Sequence, residues 1–72
     1  MKTVAVDFQA SRLSSEDDIE NDIREAVARA GHQAGDCTVV SRSGTVGTAL
    51  IETDPPIVGE LSWHGTKVFA TT

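Results

Sequence analysis

Apolar residues recur at helical spacing in one stretch of this chain, at Ile19, Ile23, Ala26, Val27 and Ala30, and alternate nearly everywhere else. One helix among several strands is the governing constraint, because any sheet those strands build has a single helix to cover it. The helix signals agree with one another. Ser15 stands where an N-cap belongs, and Asp18 follows as the short partner of a capping box. Glu16, Asp17, Asp18, Glu20 and Asp22 crowd the first turns with acid, complementing the positive end of the helix dipole. Glu20 with Arg24, and Glu25 with Arg29, are acid-before-base pairs four apart, each adding about 0.2–0.5 kcal/mol. Gly31 supplies the stop, so the spacing predicts a helix over Glu16–Ala30.

The remaining segments read as strands. Lys2–Phe8 alternates, with Val4, Val6 and Phe8 on one side and Thr3, Ala5 and Asp7 on the other. Gln9–Ser15 and Gly31–Asp36 are polar connections. Cys37–Arg42 and Thr45–Thr53 flank Ser43-Gly44, a two-residue hairpin turn. That register pairs Arg42 with Thr45 and Val39 with Thr48, and turns Cys37, Val39, Val46 and Leu50 towards the helix. Asp54-Pro55-Pro56 breaks the sheet, since neither proline can donate a backbone hydrogen bond. Ile57–Trp63 and Thr66–Thr71 form a second hairpin about His64-Gly65, with Leu61 opposite Val68 and Gly59 opposite Ala70. The expected fold is α+β in the order β-α-β-β-β-β. One amphipathic helix packs on a mainly antiparallel four- or five-stranded sheet, and residues 1–72 form one small domain.

A chain of 72 residues buries only about 60% of its unfolded surface. Net stability of about 3–5 kcal/mol is typical at this size. Cys37 is the only cysteine, so no internal disulfide adds to that, and a lone thiol suits a reducing compartment. No apolar run approaches the roughly 20 residues of a membrane span. Lys2 and Asp7 interrupt the segment where a secretion signal needs a continuous apolar stretch. A cytoplasmic protein without membrane contact is expected. The formal charge of −5 comes from eleven acids and six bases. It repels phosphates, so direct nucleic-acid binding is not expected, whereas a protein with a basic surface is a fitting partner.

The register leaves a surplus. Val4, Val6, Phe8, Cys37, Val39, Val46, Leu50, Ile57, Leu61, Trp63 and Val68 are assigned to the helix side. Val40, Ala49, Ile51, Val58 and Phe69 are left on the reverse. Either the sheet curls towards a barrel, or the second face meets another protein or a second copy of the chain. Trp63, at a hairpin tip, is either a core cap or an anchor for a partner.

Catalytic chemistry finds little support. Cys37, His32 and His64 match no zinc-ligand spacing. Nothing orients a Cys–His nucleophile pair or builds an oxyanion hole. The helix-start acids lack the cleft that a catalytic carboxylate pair needs. Ser43–Thr48 places Thr48 where a phosphate-cradling loop requires lysine. No enzyme activity, metal or cofactor is expected. The residues favour a non-enzymatic acidic protein-interaction module, a small inhibitor or adaptor. Its charged contacts would come from Glu16, Asp17 and Asp18, and its apolar contacts from Val40, Ile51, Val58, Trp63 and Phe69.

In size and charge alone, the chain resembles phage-encoded inhibitors of host defence complexes. The strand–helix–hairpin order over Lys2–Thr53 also resembles dodecins, small flavin-storing oligomers. That topology implies an alternative function, a homo-oligomer that binds a small molecule between subunits. Dodecins stack flavin on a strand tryptophan after the helix. Asp36–Arg42 contains none, and the Pro-Pro break and second hairpin depart from the pattern as well.

Overall fold

The computed structural model describes residues 1–11 and 14–71. Its elements are β1 (Lys2–Gln9), α1 (Glu16–Arg29), β2 (Gln33–Ser43), β3 (Val46–Asp54), β4 (Gly59–Trp63) and β5 (Thr66–Thr71). The strands make one five-stranded sheet in the order β2-β3-β1-β5-β4, with every pairing antiparallel. The fold is therefore α+β, one helix on an antiparallel sheet. Among the described residues no helix is long and apolar enough to cross a membrane.

β1 occupies the centre because its alternation gives the core three large side chains. Val4, Val6 and Phe8 are all buried, and the strand pairs with β3 from Lys2 to Gln9. The helix begins as its cap signal requires: Ser15 is extended, and its hydroxyl oxygen accepts from the Asp18 amide at 3.2 Å. Ile19, Ile23, Ala26 and Val27 form the buried stripe. The helix ends one residue short of expectation, at Arg29, with Ala30 as an exposed C-cap rather than part of the stripe. Gly31 follows with a φ of 91°, a left-handed conformation that glycine adopts without strain. The expected surface ion pairs are replaced by other contacts. Glu20 Oε1 accepts from the Val39 amide of β2 at 3.2 Å, and Arg24 donates to Asn21 Oδ1. Arg29 Nε donates to the Glu25 carbonyl at 3.4 Å.

The helix backbone approaches β2, β3 and β4. β2 and β4 are the two edges of the sheet, so the sheet must bend around the helix. Its inner side is filled by the β1 valines, Phe8, Ala49, Ile51, Leu61, Trp63, Val68 and Ala70. Phe8 and Trp63 meet edge to face, with ring centroids 5.6 Å apart. The sheet curves around the helix, and among the described residues no element covers its outer side.

β3 faces opposite to expectation. The hairpin loop is Gly44-Thr45, with Ser43 opposite Val46, not Ser43-Gly44 with Arg42 opposite Thr45. That change moves Arg42's partner by two residues, from Thr45 to Gly47, and leaves the faces alone. The bulge between Val39 and Ser41 takes one residue back, so Val39 pairs with Ala49 rather than Thr48, and a shift of one turns the other set of β3 side chains inward. Ala49 and Ile51 therefore lie in the core at 0% exposure, while Val46 and Leu50 are 51% and 39% exposed. The same bulge keeps Cys37 and Val39 against the core, opposite Ile51 and Ala49; a further irregularity lies between Ala34 and Cys37. Gly47 explains the chosen register. It lies opposite Phe8, and a Cβ there would sit 2.7 Å from Phe8 Cζ and press on the Ser41 carbonyl oxygen. Only glycine leaves room there for both the Phe8 ring and the Ser41 carbonyl.

The second hairpin forms in the expected register. Trp63 pairs with Thr66, Leu61 with Val68 and Gly59 with Ala70. His64 and Gly65 occupy the turn with φ values of 49° and 73°, as a two-residue loop that follows the sheet twist requires.

Candidate interaction face

The outer side of the sheet is organised in rows across the strands. One row runs Thr38, Leu50, Ala5, Thr71; the next runs Ser41, Thr48, Asp7, Phe69, Glu60. Val46 and Gln9 are paired in the row beyond. Leu50, Val46 and Phe69 are its large exposed apolar groups, Phe69 at 54%. Around them stand the carboxylates of Asp7, Glu52 and Glu60, with Asp36 near the β2 bulge. Lys67 is the lysine on this side, and its ammonium is 3.3 Å from Glu60 Oε2. Apolar and acidic groups are thus interleaved rather than segregated.

β1 and β5 pair only through Ala5–Thr71, Val6–Ala70 and Asp7–Phe69. Beyond Asp7 they part, and a cavity of about 550 Å³ opens between them, lined on its outer side by Asp7, Gln9, Val46, Thr48, Lys67 and Phe69. Asp7 Oδ1 accepts a hydrogen bond from the Thr48 hydroxyl at 2.8 Å. Arg42 also borders the cavity, but its guanidinium is engaged elsewhere. Nη1 donates to the Ser14 carbonyl at 2.7 Å, Nη2 to that of Ser11 at 2.9 Å, and Nε to that of Gly44 at 3.1 Å. These bonds tie the β2–β3 turn to the connection that leads into α1.

The expected site residues are not brought together. Glu16, Asp17 and Asp18 are exposed at the start of α1, on the helix side of the sheet. Phe69 lies on the opposite, bare side. Val40, 51% exposed, occupies the second β2 bulge on the sheet's edge. Val58, 76% exposed, sits in the connection ahead of β4. Ile51 was expected on the open face and is instead wholly buried, because the β2 bulge between Val39 and Ser41 sets it opposite Cys37. Trp63 is 2% exposed and serves as a core cap, so it is not a surface anchor. The residues missed were Asp7, Val46, Leu50, Glu52 and Glu60. Alternation within β1 already places Asp7 opposite Val4, Val6 and Phe8, a charge in mid-strand on an uncovered face. Val46 and Leu50 required the β2 bulge between Val39 and Ser41.

The histidines and the cysteine serve separate structural roles. His32 Nδ1 donates to the Pro55 carbonyl at 3.0 Å, which joins the end of the helix to the β3–β4 connection. His64 Nε2 is 2.9 Å from Asp22 Oδ2, linking the second hairpin to the helix. No three His, Cys, Asp or Glu side chains among the described residues group as a metal site. Burial pushes the Cys37 thiol up from 9.0 to about 11, with Glu20 adding to the rise and Arg24 opposing it. Its reaction with iodoacetamide at pH 7.5 is expected to run about tenfold slower than that of a cysteine in an unstructured peptide. The thiolate fraction falls about a hundredfold, while the greater basicity returns part of the nucleophilicity. Mass-spectrometric time courses on both would check this, and equal rates would contradict a shielded thiol. No family model, curated protein or solved structure matches this chain.

Proposed function

We propose that this protein is a non-enzymatic interaction module that docks a basic partner protein through the outer side of its sheet. The observation that carries the proposal is a five-stranded sheet covered by its helix on one side only. Its other side presents Val46, Leu50 and Phe69 among Asp7, Glu52 and Glu60. Interleaved apolar and charged groups are the composition of a non-obligate interface rather than a permanent one. The charge decides against self-association here: two copies face to face would set carboxylates against carboxylates, which is costly when desolvated. A partner with arginine or lysine among apolar groups meets no such penalty. The acids at Glu16, Asp17 and Asp18 lie on the helix side and contribute to steering at a distance rather than to the same contact.

A photo-crosslinking amino acid placed at Leu50, and separately at Ala28 on the helix, tests this in the cells that make the protein. The expected result is a discrete adduct from position 50 and none from position 28. That adduct should weaken when Asp7 and Glu52 are changed to lysine. An adduct twice the mass of the chain would support the small-molecule-binding oligomer instead, for which the cavity between β1 and β5 is within the usual size range. Adducts from position 28 alone would overturn the proposal.

A further inference from the structure

We infer that the cavity between β1 and β5 is an arginine pocket, in which a partner's guanidinium lies over the Phe69 ring and bonds to the Asp7 carboxylate. The inference rests on the docking role proposed above and names the residue type that would anchor it. Asp7 and Phe69 are direct cross-strand partners on the bare side of the sheet, so their side chains rise next to each other. The Phe69 ring is 54% exposed. The two cations that border the cavity are already engaged: Arg42 by three backbone carbonyls, and Lys67 by Glu60. Asp7 takes a hydrogen bond from a neutral hydroxyl, and no cation among the described residues lies within 4 Å of its carboxylate. The Asp7 carboxylate therefore has no cationic partner among the described residues, and it stands beside an aromatic side chain. A planar guanidinium satisfies both at once, forking onto the carboxylate while stacking on the ring. A lysine ammonium can satisfy the carboxylate but gains less from the ring.

The test is a titration of the ¹⁵N-labelled full chain with N-acetyl-arginine amide, followed by two-dimensional NMR. N-acetyl-lysine amide and N-acetyl-citrulline amide serve as controls. Saturable shifts are expected at Asp7, Thr48 and Phe69. Arginine should bind about two- to fivefold more tightly than lysine, the margin an exposed cation–π contact supplies. Citrulline, planar but uncharged, should not saturate. Asp7→Asn should weaken arginine binding about three- to fivefold, as expected of an exposed ion pair. Phe69→Ala should remove the preference over lysine. Both positions are exposed, so both variants should fold. Equal binding of arginine and lysine would overturn the inference. So would shifts that never saturate and spread over Glu16–Asp18. If either occurs while crosslinking from Leu50 persists, the pocket assignment fails and the docking face stands.

Discussion

Ile51→Asp is expected to leave the chain unfolded, while Leu50→Asp, one residue earlier, yields a folded protein. Ile51 has no exposed surface and sits opposite Val4 of the central strand and Cys37 of β2. Truncating such a residue costs about 2–5 kcal/mol before any charge is introduced. An unpaired carboxylate at the same place adds the penalty of burying a charge without a partner. Against a stability of about 3–5 kcal/mol for a domain of this size, that sum leaves no folded population. Leu50 lies on the outer side, 39% exposed, beside Ala5 and Thr38. Replacing it loses part of one side chain's burial, about 1 kcal/mol, and leaves the carboxylate in water. Circular dichroism and amide proton dispersion would separate the two variants. A folded Ile51→Asp alongside an unfolded Leu50→Asp would mean that β3 faces the other way.

Trp63→Ala is expected to abolish folding as well, whereas Trp63→Phe should be mild. Trp63 is among the largest fully enclosed side chains and packs edge to face on Phe8. Removing so large a ring costs about 3–5 kcal/mol, comparable with the whole stability. Its indole Nε1 is buried without a hydrogen-bond partner among the described residues, and leaving a donor unsatisfied costs about 1–3 kcal/mol. Phenylalanine keeps an aromatic edge against Phe8 and discards that donor, so the gain offsets part of the smaller volume. A net change within about 1 kcal/mol is expected, read as a shift in the urea midpoint by circular dichroism. A phenylalanine variant as damaged as the alanine one would show that ring volume alone governs the site.

Both contrasts turn on which signals are local. The helix start at Ser15, the stripe Ile19–Val27, the alternation of Val4, Val6 and Phe8, and the His64-Gly65 turn were all legible in the sequence. Each is satisfied within a few residues of itself. The site was legible only in part: an apolar surplus on the reverse face was foreseen, and Phe69 belongs to it, but the acids foreseen, at the helix start, lie on the other side, and Asp7, Glu52 and Glu60 were not foreseen. Trp63 and Ile51 proved to be core.

What the sequence by itself determined, then, was one capped helix, a central alternating strand, a tight second hairpin and an acidic balance of charge. Only the tertiary structure decided the face of β3, and with it the composition of the bare side. The reason is that β3 is apolar in both phases, Val46 and Leu50 in one and Ala49 and Ile51 in the other, so its own pattern cannot choose between them. The choice is made across strands. The Phe8 ring needs a residue without a side chain opposite it, Gly47 meets that need, and antiparallel pairing then carries Ala49 onto Val6 and Ile51 onto Val4.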